Sequence, residues 1–315
     1  MRVLVLGAAG FIGSHLARAL HQRGQLRGQP ITSLVLADNR PAAALPGAEV
    51  LQGDICDDTF LQRLFAQPVD AVFHLAATLT LDAEQDPARG LAVNVHALMR
   101  LMALCRAQGN CPAFVFASSI STFGGALPDT VGDHVPQTPQ TSYGTHKALA
   151  ELLINDDSRR GQLDGRMLRL PVVLTHPGPP SGSVSDRLAS LIREPLNGRD
   201  AQCGLAPDTR VPVASVQRVV ESFLALHALP ASAFGPTRVM NLPSLTVTPG
   251  EIAAAMARHG ATGRIDWQPD AQMQAIVDGW PRAFTSERAL ALGLTHDADV
   301  DALVRAYLET RNAHG

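Results

Sequence analysis

Apolar positions in the first 120 residues alternate between two periods. Short unbroken apolar runs at residues 3–6, 33–37, 69–75 and 113–117, bounded by turn residues, predict strands buried on both faces. Between them, residues 11–23, 59–66 and 91–107 carry apolar side chains at helical spacing. Strands of this kind separated by helices predict a parallel sheet covered on both sides, an α/β doubly wound fold. The expected order is β-α-β-loop-β-α-β-α-β.

Past residue 140 the pattern predicts a helix over 141–159 and a strand over 166–174. Pro171 is tolerable there only near the sheet end, where its missing N–H costs nothing. The run His176-Pro177-Gly178-Pro179-Pro180-Ser181-Gly182-Ser183 breaks the periodicity and predicts a crossing into a smaller region. Residues 211–213, a helix over 215–229 and residues 238–242 read as returns to the sheet. Residues 249–260 and 286–311 read as mostly helical.

Composition narrows the classes. Of 315 residues, 46% are apolar and 17% charged, which excludes disorder for the bulk of the chain. Lys and Arg (26) against Asp and Glu (29) leave a charge of −3 without the basic cluster that nucleic acid requires. No apolar run approaches the ~20 residues of a membrane crossing, and residues 3–6 are too short for a signal peptide. Cys56, Cys105, Cys111 and Cys203 show no C-x-x-C spacing and read as free thiols in a reducing cytoplasm. None of the 11 histidines falls at metal-ligand spacing, so no metal is expected.

Chemistry gathers at three places. Gly7-x-x-Gly10-x-x-Gly13 joins the first strand to the first helix. Gly7 suits the tight turn, Gly10 a close approach to a pyrophosphate, and Gly13 close helix–strand packing. The helix N-terminus then offers N–H groups and its positive dipole end to phosphate. Asp38, ending the next strand, can accept from an adenosine ribose and repel a 2′-phosphate, so NAD is preferred over NADP; Arg40 nearby keeps NADP open. Tyr143 and Lys147 stand i, i+4 on one helix face, and a nearby cation lowers a phenol pKa toward usefulness as a base. Ser119 ends the strand at 113–117 and points into the crevice above the sheet. His146 adjoins Lys147, but neighbours one apart diverge on a helix, so no role is expected of it.

These motifs, with Gly53-Asp54-Ile55, Asp70-Ala71-Val72-Phe73-His74-Leu75-Ala76-Ala77, Asn94-Val95, Val239-Met240-Asn241-Leu242 and residues 288–294, resemble the extended short-chain dehydrogenases/reductases over nearly the whole chain. The resemblance implies a Rossmann domain over 1–175 plus 211–242 and a mostly helical substrate region over 176–210 plus 243–315. It implies Tyr143 as general base, Lys147 as its cation and Ser119 as partner of the reacting oxygen. For the coenzyme it implies Gly7, Gly10, Phe11, Ile12, Gly13, Asp38, Asp54, Ile55, Leu75, Ala76, Ala77, Asn94, Tyr143, Lys147, Pro171 and Val173. The helices holding residues 91–105 and Tyr143 are expected to form a homodimer interface.

Epimerases of the family carry an Asn and a Tyr-Gly-Pro segment where this chain has Arg169-Leu170-Pro171-Val172-Val173-Leu174-Thr175-His176-Pro177-Gly178. With only 4% aromatics, few rings could stack on a nucleotide base. Residues 180–196 resemble the branch that oxidises four-carbon sugar acids of the D-erythronate type. A carboxylate substrate calls for Arg, and Arg210 and Arg193 are preferred over Arg187, with Ser183 or Ser185 for hydroxyls. A nucleotide-sugar epimerase or dehydratase with tightly held NAD, and a non-catalytic NAD(P)-sensing protein, are the alternatives.

Overall fold

The computed structural model describes residues 1–174 and 184–312. The chain falls into two compact units. The first comprises Met1–Thr122, Thr141–Arg169 and Val220–Met240; the second comprises Phe123–Gln140, Leu170–Val219 and Asn241–Gly315.

The first unit centres on a sheet of seven strands: β1 (Arg2–Leu6), β2 (Ser33–Asp38), β3 (Glu49–Gln52), β4 (Ala71–His74), β5 (Ala113–Ser119), β6 (Asp164–Leu170) and β7 (Val239–Asn241). Their spatial order is β7-β6-β5-β4-β1-β2-β3. The pairs β1–β2, β2–β3, β1–β4 and β4–β5 are parallel, as unbroken apolar strands demand. Chain order reverses at β1, which places a crevice between the loops after β1 and β4, the usual ligand position in such sheets. Helix α1 (Phe11–Arg23), helix α2 (Ala97–Gln108) and helix α3 (Ser142–Arg159) belong to the same unit. Leu4, Leu6, Val35, Phe114 and Phe116 of the sheet share one core with Leu98, Leu101 and Ile154 of the helices. Each such side chain contributes about 1.5–3 kcal/mol on burial.

Two local differences from the expected pattern have simple causes. The loop expected between the second and third strands contains β3, a largely exposed edge strand whose polar ends hide it from a search for apolar runs. The helix expected over 91–107 is divided: Pro87–Leu91, then one π-helical turn over Ala92–His96, then α2. Such insertions cluster at functional positions, and this one carries Asn94.

The second unit holds a separate sheet of Val172–Leu174, Val211–Ser215 and Leu245–Val247, the first pair parallel and the second antiparallel. This corrects the expectation that residues 211–213 return to the large sheet. Pro171 has no N–H to give a ladder, so β6 ends before it, and residues 172–174 pair with 211–215 instead. Helices Val184–Leu196, Pro249–Arg258 and Val300–Asn312 supply most of the rest, around Leu191, Ile192, Val213, Leu303 and Tyr307. Short strand pairs, Ala201–Cys203 with Ile265–Trp267 and Thr130–Val131 with Ala283–Phe284, add to the helical content expected there. The Pro/Gly/Ser run at 176–183 lies outside the described residues. Among the described residues no helix is long and apolar enough to cross a membrane.

Candidate active site

The glycine turn is packed too tightly for a side chain at Gly7 or Gly13. Gly7 has φ +86° and donates its N–H to the Ala37 carbonyl at 2.9 Å. A Cβ there would stand 2.7 Å from the Ala76 nitrogen, and one on Gly13 would stand 2.0 Å from the Gly7 carbonyl oxygen. Gly10 caps α1 with no side-chain hydrogen bond of its own, and Phe11 and Ile12 form the first turn. Bare backbone at a helix N-terminus, in the crevice beside Leu75, Ala76 and Ala77, fits a pyrophosphate.

Asp38, 8% exposed, is tied into this turn. One carboxylate oxygen accepts from Ala9 N–H at 2.9 Å and the other from Arg40 N–H at 3.0 Å. Each oxygen keeps acceptor capacity for ribose hydroxyls. The Arg40 guanidinium bonds the Ala9 carbonyl at 3.3 Å. Asp54 is salt-bridged to Arg89 at 2.7 Å and accepts from Cys56 N–H. Its partial burial pulls its pKa upward, but those two bonds outweigh that and hold it below the usual carboxylate value. Ile55 beside it is buried.

Ser119, at the end of β5, has its Oγ 3.2 Å from the Ser121 hydroxyl and accepts from Ser121 N–H at 3.1 Å. It also shares a hydrogen bond with the Tyr143 phenol. Tyr143 and Lys147 lie one turn apart on α3, whose start is capped by the Thr141 side chain bonding Gly144 N–H. Lys147 is 3% exposed; its Nζ donates to the Ala117 carbonyl at 2.7 Å and lies 5.6 Å from the Tyr143 ring centre. Desolvation pushes the phenol up to about 12 although the Ser119 bond pulls it down. Desolvation also pushes the Lys147 ammonium down to about 7, against the pull of Glu151. Burial therefore opposes the charged form of each group, phenolate and ammonium alike.

Behind Lys147 is a group that the motif search missed. Glu151, one turn further along α3 and 3% exposed, forms a buried salt bridge with Arg169 of β6 at 2.8 Å and accepts from the Ser118 hydroxyl. The visible signal was a carboxylate four residues after the lysine on one helix face; its arginine partner, 18 residues on, shows only in the fold. Asn94, on the π turn, is buried and binds Thr78 through both side-chain atoms, accepting from its N–H and donating to its carbonyl, each at 2.9 Å.

Other expected site residues lie in the second unit. Pro171 and Val173 flank the start of its sheet. Arg210 is 41% exposed and bonds Asp129 at 2.6 Å. Arg187 pairs with Asp270 at 3.2 Å. Arg193 corrects its expected role: it is 1% exposed and bonds Asp186 and Glu194, each at 2.7 Å, so its fork is committed to two carboxylates of its own helix. Ser183 lies outside the described residues.

Comparison with known proteins agrees with this geometry. The model of the NAD dependent epimerase/dehydratase family matches residues 3–237. D-erythronate dehydrogenase of Cupriavidus necator is 41% identical, with 98% of each chain covered. D-erythronate dehydrogenase of Haemophilus influenzae is 34% identical over 98% of this chain and 99% of its own. The crystal structure of a nucleoside-diphosphate-sugar epimerase from Agrobacterium tumefaciens superposes with a TM-score of 0.94 at 30% identity, covering 100% of this chain and 95% of that one. The chain belongs to the NAD dependent epimerase/dehydratase family. Within it the chain resembles the D-erythronate dehydrogenases, and it is an enzyme, a dehydrogenase acting on CH–OH groups with a nicotinamide coenzyme.

The buried lysine has a consequence for stability. The unfolded chain keeps Lys147 protonated up to about pH 10.4, whereas the folded chain releases the proton near 7. The resulting penalty is full below that value and fades as pH rises toward 10. Lys147→Met should therefore raise the melting temperature, more at pH 6 than at pH 9, while activity is lost. A melting temperature unchanged or lowered at pH 6 contradicts this.

Proposed function

We propose that the enzyme oxidises a hydroxyl carbon of a small sugar acid, a D-erythronate-like four-carbon aldonate, with NAD as acceptor. The observation that carries the reading is the Ser119–Tyr143–Lys147 cluster at the carboxyl end of the sheet, beside the glycine turn, in a chain 41% identical to a D-erythronate dehydrogenase. NAD, when bound, supplies the carbon that receives the hydride. The chain's residues handle the proton and the orientation. Ser119 bonds the reacting oxygen, and Tyr143 takes the hydroxyl proton as the alcohol becomes a ketone. Phenolate formation needs a compensating charge, and the Lys147 ammonium stands 5.6 Å from the ring to give it. Asp38 favours NAD over NADP, because its buried carboxylate would face the 2′-phosphate of NADP. Asp54, Ile55, Leu75, Ala76, Ala77, Asn94, Pro171 and Val173 complete the coenzyme set of this reading.

Arg210, with its side chain partly in solvent and paired with the exposed Asp129, is the candidate for the substrate carboxylate, which would displace Asp129 from it. The nucleotide-sugar reading has the Agrobacterium structure in its favour, but this chain lacks the Asn and Tyr of epimerases after β6. We propose a homodimer as well, on the exposed Met99 of α2 and Leu149 and Leu152 of α3. Light scattering should report the mass of two chains; a single-chain mass contradicts the dimer.

Tyr143→Phe should reduce kcat at least ~10²-fold with NAD affinity retained. Arg210→Ala should lower kcat/KM for the acid by roughly one to two decades, the worth of a charge-assisted bond, again with NAD affinity retained. A Tyr143→Phe enzyme with normal kcat overturns the assignment of the base, and an Arg210→Ala enzyme with normal kcat/KM moves the carboxylate elsewhere.

A further inference from the structure

The histidine next to the catalytic lysine has a place that the spacing argument did not foresee. His146 does turn away from Lys147, but toward the π turn rather than solvent, and it is buried. Its Nδ1 lies 3.3 Å from the side-chain amide nitrogen of Asn94. Which atoms donate is settled by Thr78. Asn94 accepts from Thr78 N–H and donates to the Thr78 carbonyl, so its oxygen and nitrogen cannot be exchanged. An amide nitrogen only donates, so Nδ1 of His146 accepts and the proton of the neutral ring sits on Nε2. On the other side the ring is wedged against Gly90, where a Cβ would come 3.2 Å from its Cε1.

We propose that His146 is a positioning residue that couples the helix carrying Tyr143 and Lys147 to the chain that lines the coenzyme. The path is short and continuous: α3 through the imidazole to Asn94, and from Asn94 to both backbone groups of Thr78. Thr78 directly follows Ala76 and Ala77, so the functional half of this proposal rests on the reading that those residues line the coenzyme ribose. The π turn is what brings Asn94 into line. The coupling requires an acceptor at Nδ1, and a doubly protonated ring has none, so protonation of His146 opens the link.

The surroundings oppose that protonation at neutral pH. Burial lowers the imidazole pKa, and Glu84, on the helix Thr80–Gln85, pulls it back up. Glu84 also accepts from Ser142 N–H at 2.6 Å, at the start of α3. Arg89, on the helix that contributes Gly90, is turned to Asp54 at 2.7 Å. Lys147 points to the Ala117 carbonyl.

The test uses His146→Leu, which keeps bulk and removes the acceptor, and His146→Asn, whose side-chain oxygen falls where Nδ1 was. In the coenzyme-free protein, amide hydrogen exchange at Thr78 should rise about tenfold in the Leu variant, the worth of one lost bond, and return to near the wild-type rate in the Asn variant. NADH affinity, read by fluorescence, should fall about tenfold in the Leu variant and less than threefold in the Asn variant. Acidification from pH 8 toward 5.5 should weaken NADH binding more in the wild type than in the Asn variant, which has no proton to gain. Unchanged exchange at Thr78 in the Leu variant overturns the link itself. Changed exchange with unchanged NADH affinity, or parallel acid loss in the wild type and the Asn variant, overturns its function. A wild type that binds no NADH would instead sink the coenzyme reading, while the exchange result would still decide whether the link exists.

Discussion

The end of β5, the start of α3 and Arg169 of β6 meet one costly requirement, a lysine side chain kept out of water beside a phenol. Burying an unpaired cation is prohibitive, so the fold surrounds Lys147 with acceptors and opposite charge. The Ala117 carbonyl takes one N–H, the Phe116 ring lies 4.4 Å from Nζ, and the Glu151 carboxylate acts from one turn along the helix. Glu151 in turn is held by Arg169 and Ser118. Three successive residues at the end of β5 therefore serve one purpose: Ala117 receives the lysine, Ser118 anchors its counter-charge, and Ser119 meets the phenol. Removing Arg169 alone would strand a buried carboxylate, which is why this pair is a positional device and weak evidence of stability by itself.

The parts of this arrangement that sequence reveals are the local ones. The strand, glycine turn and α1 follow one another without a break from residue 2 to residue 23, with a period change in the middle, and α1 begins and ends where the spacing puts it. Tyr143 and Lys147 are legible because i, i+4 spacing guarantees a common face. The parts that stay hidden depend on distant partners. Strand β3 is a largely exposed edge strand with a polar residue at each end, so no apolar run marks it. Residues 211–213 are apolar enough for either sheet, and only the break at Pro171 decides between them. Arg193 reads in sequence as a solute-binding arginine, and only the fold places Asp186 and Glu194 of the same helix around it. His146 is hidden for another reason: the spacing of neighbouring helix positions says where a side chain does not point and nothing about what it meets.

The glycine turn follows the same logic. With 2.0 Å between a Gly13 Cβ and the Gly7 carbonyl oxygen, and 2.7 Å between a Gly7 Cβ and the Ala76 nitrogen, neither position tolerates a side chain, and this tightness brings the loops after β1 and β4 together. Asp38 then fixes the turn through Ala9 and keeps acceptor capacity toward the crevice.

Net oxidation of a sugar acid is tested most directly by following NADH absorbance with the purified enzyme, NAD or NADP, and each stereoisomer of the four-carbon aldonic acids. One stereoisomer should reduce NAD, in step with formation of the corresponding keto acid, and reduce NADP far more slowly. Failure of every stereoisomer to reduce either coenzyme, together with interconversion of a nucleotide sugar without net NADH, would contradict it.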